Sequence, residues 1–491
     1  MTTVKLGRGA IVVSEPPAGL KDGLSYFKRE LGYDRARHMR TTTGHYEYLY
    51  TEDQKTGTLT TMPGFAHRIF EFLRKSGTQF KVEDLRVPLP EPDLKTACDG
   101  LRDYQLEPVL TAVKSGGGIL SLPTGFGKTR CAAAIMKAYD PEQLKLRGTP
   151  MVVFSAPDKD INRKNWEALK EVLPDRDIGL VMSGAKKFSD DILVITLDSL
   201  HLINPDDVGV LIVDEVHTAG SSGRAEVLSR FHNAARWGVS ATPSGRFDGG
   251  DRVIEGLFGP VVCQRTYQDA VKLGALVPIE VYWVKAPSPS VGLSYYMNYK
   301  SRDSKIKSAI ISNPPYSKLV ADLMLRIPES RSALCFTQWI AQMANIHAYC
   351  PDIMYAHGQT HEGLGSIQPI SPKRRREIYD MMVSREIKKL FATYIYKQGV
   401  DFPALDIVVN ASGGGSDIVA KQIPGRASRK ADGKDRAYVV DFIHEWDRDE
   451  NGKAGPLLAC DFSRRRSYKD LGFTQTFVDS IDELPFLKEN I

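Results

Sequence analysis

One texture runs through most of this chain: short, uninterrupted apolar runs, each followed by a helical segment. "GGILSLPTG", "PMVVFSAP", "DILVITLDS", "VGVLIVDEVH" and "RWGVSATPS" form one series, beginning after about residue 98. "RSALCFTQ", "DIMYAH", "KKLFATY", "LDIVVNAS" and "RAYVVDFI" form a second, beginning near residue 280. A strand wetted on one face alternates apolar and polar residues, whereas a run that is apolar throughout is covered on both. Such strands, separated by helices, predict parallel sheets with helices packed on each face. The fold class is therefore α/β, with two such domains in tandem.

Residues 1–95 lack this texture. "HYEYLYTEDQKTGTLTTM" reads as a β-hairpin, with aromatic alternation, a polar turn at Gly57 and then threonines. "AHRIFEFLRKSG" reads as an amphipathic helix with Ile69, Phe70 and Leu73 on one side and Gly77 as its stop. This predicts a small α+β accessory domain, followed by the proline-rich linker "RVPLPEPDLK". The expected divisions are 1–95, 96–275, 276–450 and a polar extension over 451–491. At 491 residues, several domains are expected.

Composition narrows the class. A formal charge of +5 means that any nucleic-acid surface is a local patch rather than a global field. The six cysteines are scattered singly, which argues against a zinc site or a disulfide framework. The amino terminus does not read as a signal peptide, and no apolar stretch approaches a membrane span. A cytoplasmic, soluble protein is expected.

The chemistry-bearing motifs sit where strands end. In "SLPTGFGKTR", the residues Thr124, Gly125, Phe126, Gly127, Lys128 and Thr129 have the ending of a phosphate-binding loop. Such a loop needs backbone N–H groups aimed at the anion, hence glycines beside it. Lys128 would reach the outer phosphates, and the Thr129 hydroxyl would hold Mg²⁺. Leu122 occupies the place of the pattern's usual first glycine and reads as the last packed residue of the strand. In "LIVDEVH", Asp214 and Glu215 end an apolar strand on the edge where α/β sheets bind ligands. Asp214 is the expected Mg²⁺ ligand and Glu215 the group that activates water. Ser240 and Thr242 of "SAT" would sense the nucleotide state through the acidic strand. Upstream, in "LRDYQ", Gln105 has the donor and acceptor needed for an adenine edge, and Arg102 or Tyr104 would stack on the base. In the second domain, "KQIPGRASRK" carries Gln422, Arg426 and Arg429. The two arginines, three apart, would share a helix face and suit a polyphosphate.

Read in order, "LRDYQ", "PTGFGKT", "FSAP", "TLDSL", "DEVH", "SAT", "CFTQ", "ATYIYKQGVD" and "QIPGRASR" resemble the motif series of superfamily 2 helicases over roughly residues 98–445. The resemblance implies two tandem RecA-like domains with ATP and Mg²⁺ in the cleft between them. It makes Arg426 and Arg429 arginine fingers, with Gln422 in the same motif and Gly399 and Asp401 as further nucleotide contacts. Thr196, Ser199 and Thr393 match the family's phosphate-backbone contacts. "GVSATPSGRFDG", "LFGPVV" and "AVKLGALVPIEV" resemble the DNA-directed branch that includes XPB-type and phage UvsW-type helicases. That branch implies unwinding and branch migration of forked or junction DNA in replication, recombination or repair, by a monomer that meets replication or recombination proteins. An RNA helicase and a nucleic-acid-binding protein without hydrolysis are the alternatives.

Two basic segments depart from the family pattern. Lys373–Arg376, after the inserted "EGLGSIQPISP", is either a DNA contact or a solvated helix start. "SRRRSY", ending at Tyr468, is either a DNA contact or a surface helix.

Overall fold

The computed structural model describes the chain except residues 35–38, 87, 244–247, 300, 359–363, 394–401, 403–404, 415–423 and 489–491, and except the side chains of 27, 29–34, 39–42 and 426. The described chain divides into two compact units, Met1–Thr266 and Tyr267–Ile491.

The first unit begins with a small five-stranded sheet, ordered Tyr50–Glu52, Leu59–Thr61, Ile11–Ser14, Thr2–Leu6 and Phe80–Asp84. The helix Ala66–Lys75 lays Ile69 and Leu73 onto it, and both are fully buried with Val4, Val13, Leu59 and Phe65. Each such aliphatic side chain contributes about 1.5–3 kcal/mol of burial. Gly77, at φ 66°, ends the helix as its spacing predicts. The expected hairpin is present but narrower, with Tyr50–Glu52 paired to Leu59–Thr61 around Gly57 at φ 65°. His45–Tyr48 instead belongs to a ribbon of two antiparallel strands, Ser25–Asp34 and Met39–Tyr48, paired to no other strand among the described residues. Leu49, whose N–H donates to the Leu24 carbonyl, closes that ribbon and separates it from the hairpin.

The rest of the unit is an eight-stranded sheet in the order Ala185–Lys187, Ile178–Met182, Ile192–Thr196, Met151–Ala156, Val208–Asp214, Ala235–Ser240, Gly118–Ser121, Val261–Gln264. All neighbours are parallel except the first pair. The strand Val208–Asp214 is buried along its whole length, as its apolar sequence requires. Because these strands are parallel, the phosphate loop, Thr196, Asp214 and Ser240 all fall on one edge.

The second unit holds seven parallel strands in the order Met354–Ala356, Lys389–Ala392, Ala333–Phe336, Ile407–Asn410, Ala437–Ile443, Ile279–Lys285, Thr474–Val478. The last strand and the helix Pro456–Asp470 come from the polar segment after residue 450, and both are parts of this fold.

That helix takes Arg464 and Tyr468 out of both the DNA-contact and the surface-helix readings of "SRRRSY", while Arg466 stays exposed and Arg465 half-buried. Arg464 is 1% exposed and Tyr468 fully buried. The Arg464 guanidinium pairs with Asp441 at 2.9 Å and Asp461 at 2.9 Å, and its Nη1 donates to the Gly414 carbonyl at 2.7 Å. The Tyr468 hydroxyl donates to Asp441 at 2.8 Å. Two buried carboxylates need this cation, which draws the arginine inward. Lys373–Arg376 opens the helix Pro372–Val383, capped by Ser371 and carrying the pairs Arg374–Glu377 and Arg376–Asp380. Among the described residues no helix is long and apolar enough to cross a membrane.

Candidate functional site

The phosphate loop leaves the strand Gly118–Ser121 and enters the helix Lys128–Lys137. Leu122 is fully buried, and its N–H donates to the Ser240 carbonyl at 3.0 Å, prolonging the pairing with the next strand. It packs directly after the strand and prolongs it, close to the expected reading. Gly125 and Gly127 take φ 88° and 91°, a region that side-chain-bearing residues avoid. A Cβ on Gly127 would also fall 2.3 Å from the Gln105 amide nitrogen. Lys128 is the first helical residue, so the free N–H groups of the helix start lie at the loop.

Gln105 lies under this loop and braces it. It is 1% exposed; its Nε2 donates to the Phe126 carbonyl at 3.0 Å and its Oε1 accepts from Arg102 N at 3.2 Å. The amide that the sequence assigned to an adenine edge is thus engaged within the chain on both sides. Phe126 is fully buried, and its ring stands edge-on to Tyr104 at 5.0 Å. Arg102 donates to the Tyr104 hydroxyl at 2.7 Å and remains exposed, so these two residues offer the platform for a base.

The acidic strand end meets the loop through a residue the motif reading missed. The Thr129 hydroxyl donates to Asn165 Oδ1 at 2.8 Å, and Asn165 Nδ2 reaches Asp214 Oδ2 at 3.4 Å. Asn165 lies mid-helix in Lys159–Val172 and carries no motif signal, since only the fold brings it here. Burial and the adjacent Glu215 carboxylate push Asp214 up to about 6. Glu215 itself sits at φ 49°, an uncommon conformation for a residue with a side chain, and such strain collects at functional sites. The Thr129 hydroxyl and a buried carboxylate with raised pKa suit a hard cation, which would offset the charge that burial penalises.

The raised Asp214 pKa has a definite stability signature. In the metal-free chain its charge costs the folded state nothing below its ordinary value of 3.8 and the full amount above about 6. Asp214→Asn is therefore expected to unfold at a higher temperature than the unsubstituted chain at neutral pH. The difference should shrink as pH falls through that window. Thermal melts across pH without metal measure this, and a pH-independent difference would remove the buried charge as its cause.

His217, quoted within "DEVH" but given no role, links the acidic end to the "SAT" strand. Its Nδ1 lies 3.4 Å from Glu215 Oε2 and 3.0 Å from the Ser240 hydroxyl. Ser240 Oγ in turn accepts from Thr242 N at 3.1 Å. At the same edge, Thr196 Oγ1 donates to Ser199 Oγ at 2.7 Å.

In the second unit, Thr393 follows the strand Lys389–Ala392, and its N–H donates to the Ala356 carbonyl at 3.1 Å. The arginine motif differs from expectation, because Arg426 and Arg429 share no α-helix. Pro424–Arg426 is a single 3₁₀ turn, and Arg429 forms an antiparallel bridge with Leu276. Val277 N donates to the Ser428 carbonyl at 2.7 Å, and the Ser428 hydroxyl donates to the Gly425 carbonyl at 2.7 Å. These bonds hold Ser428 in a turn and set Arg429 in the bridge, so the two arginines do not continue one helix. Gln422, Gly399, Asp401 and the side chain of Arg426 lie outside the described residues.

Comparison with known proteins places this geometry. Residues 99–245 match the family described as type III restriction enzyme, res subunit, and residues 317–431 match the helicase conserved C-terminal domain. Putative helicase 22 of a Sulfolobus islandicus filamentous virus is 24% identical over 87% of this chain and 78% of its own length. The DNA 3′-5′ translocase XPB2 of Sulfurisphaera tokodaii is 26% identical over 74% of this chain and 85% of its own. Among solved structures, S. cerevisiae Dbp5 bound to RNA and ADP BeF3 shares the fold at TM-score 0.53 and 14% identity, covering 79% of this chain and 97% of that one. T4 UvsW aligns over 97% of this chain and 99% of its own at 17% identity, with a TM-score of 0.40.

Proposed function

We propose, from the premise that this chain is a superfamily 2 helicase similar to the XPB branch, that it is an ATP-driven DNA motor. On this reading it unwinds and branch-migrates forked or junction DNA. The observation that carries it is the run from Thr129 through Asn165 to Asp214, set beside a glycine-rich loop on one edge of a parallel sheet.

In this reading the loop N–H groups of Gly125–Lys128 and the Lys128 ammonium hold the ATP phosphates. Tyr104 and Arg102 flank the base, and Gln105 acts through the loop it braces. Thr129 and Asp214 would hold Mg²⁺, which when bound supplies positive charge to the phosphate oxygens. Glu215 takes the proton of the attacking water. Arg426 and Arg429 spread the charge that develops on the transferred phosphoryl group, and Gln422, Gly399 and Asp401 complete the nucleotide contacts. Thr196, Ser199 and Thr393 grip nucleic-acid phosphates, which gives hold without sequence preference. The Glu215–His217–Ser240 contacts are a short path by which the acidic end and Thr242 register hydrolysis.

ATPase and unwinding assays on forks, four-way junctions, linear duplexes and RNA test the proposal. Branched DNA is expected to stimulate ATP turnover most and to be unwound in preference to linear duplex. Stronger stimulation by RNA than by any DNA would make the chain an RNA helicase. ATP binding without turnover on every substrate would make it a binding protein that does not hydrolyse.

A further inference from the structure

A second concentration of cationic side chains lies in the first unit, on the edge of the eight-stranded sheet opposite the phosphate loop. Gly117, Thr149, Asp207, Ala234 and Pro260 lead into or sit beside the amino-terminal ends of five of its strands. The loop and Asp214 lie at the carboxyl-terminal ends. A strand rises about 3.3 Å per residue, so the two edges stand on the order of 15–20 Å apart. Two cavities open on this edge, of about 220 Å³ and about 290 Å³. Arg8 and Arg86, from the small amino-terminal sheet's surroundings, line both. Arg236 lines the first, and Arg147 with Thr149 lines the second.

We propose that these adjoining cavities, framed by Arg8, Arg86, Arg147 and Arg236, form an anion site for a phosphate group, separate from the nucleotide loop. Guanidinium forks match phosphate oxygens in pairs, and several around one space suit a multiply charged anion. Arg236 is 5% exposed; its Nη atoms donate to the Leu257 and Phe231 carbonyls at 3.2 and 2.8 Å, while its Nε has no hydrogen-bond partner among the described residues. The Thr149 hydroxyl, also buried, is likewise without a partner among them. Buried polar groups are normally satisfied, and a tetrahedral anion is a ligand able to accept from both kinds of donor. The opposing carboxylates are few. Asp84 already chelates Arg86 at 2.9 and 2.6 Å, and among the described residues Asp206 and Asp207 are the carboxylates that line the second cavity. His232 lines it as well. Crowding is felt within the cluster, because burial, Arg147 and Arg86 together bring Arg8 down to about 10. Burial and Arg8 do the same to Arg236. The phosphate has two possible sources, a free phosphate or the backbone of bound DNA.

The test uses the full chain carrying Lys128→Ala, so that the nucleotide loop does not compete and the outcome is independent of the motor reading. Inorganic phosphate, pyrophosphate and a short blunt DNA duplex are titrated while the unfolding midpoint and duplex affinity are followed. Pyrophosphate is expected to raise the midpoint, since ligand bound only to the folded state stabilises it. Adding Arg8→Gln and Arg147→Gln should weaken that binding by roughly ten-fold or more per arginine. If DNA is the source, the same pair should also lower the slope of log affinity against log salt by about 2. If the phosphate is free, duplex affinity should not change. Arg86→Gln, at a more exposed residue, is the variant to use should the pair fail to fold, and it too should weaken binding. No stabilisation by any of the three ligands, or an equal effect in the arginine variants, overturns the proposal.

Discussion

Glu215→Gln is expected to keep ATP bound and to stop its turnover. The substitution preserves size and hydrogen-bonding reach but removes the proton acceptor, and general-base catalysis contributes about 10²–10⁴-fold. Binding should survive because its elements are elsewhere: the glycine backbone at φ 88° and 91°, the helix start at Lys128, and the Gln105 brace are all independent of the Glu215 charge. A second readout separates this from simple damage to the strand end. The Glu215 carboxylate helps to hold Asp214 up near 6, so neutralising it should lower the Asp214 pKa. Mg²⁺-dependent ATP binding should then persist to lower pH in the variant than in the unsubstituted chain. Fluorescent-nucleotide titration across pH, beside steady-state turnover, measures both. Turnover near normal would remove Glu215 from the proposed role. Loss of nucleotide binding would mean that the Glu215 charge is needed to hold the nucleotide, and not only to take a proton.

The parts of this chain legible in its sequence share one property, which is that the relevant physics is local. Continuous apolar runs such as "VGVLIVD" can only be strands covered on both faces, and they are the central strands of two parallel sheets. The Gly-Lys-Thr ending needs glycines at positive φ, and Gly125 and Gly127 supply them. What escaped depends on partners distant in sequence. The long ribbon of Ser25–Asp34 and Met39–Tyr48 has strands of mixed composition, whose sequence carries no regular apolar alternation. Arg464 reads as a surface charge until Asp441 and Asp461 appear beside it in the core. The brace that Gln105 gives the phosphate loop carries no local mark in the sequence, because it depends on Phe126, far along the chain. Arg426 and Arg429 have helical spacing, yet Leu276 and Val277 draw the chain into a bridge instead. Asn165 joins two well-marked motifs and belongs to neither.

Arg429→Ala is expected to cut ATP turnover by about 10³-fold or more while leaving DNA affinity within about two-fold, the behaviour of an arginine finger rather than a phosphate-backbone contact. The backbone around it is set by main-chain groups, with Val277 N on the Ser428 carbonyl and the bridge to Leu276, so truncating the side chain should leave the segment folded. Arg429→Lys should not rescue turnover, because an ammonium is a point charge and cannot fork onto two phosphoryl oxygens. If DNA affinity falls while turnover at saturating DNA stays normal, Arg429 is a track contact and the finger must be sought at Arg426. The double variant then distinguishes shared from separate roles. Groups that stabilise one transition state act as a unit, so Arg426→Ala on top of Arg429→Ala should cost little more than either alone. Independent losses that multiply would instead mean that the two arginines, no longer joined by a helix face, serve different ends of the motor cycle.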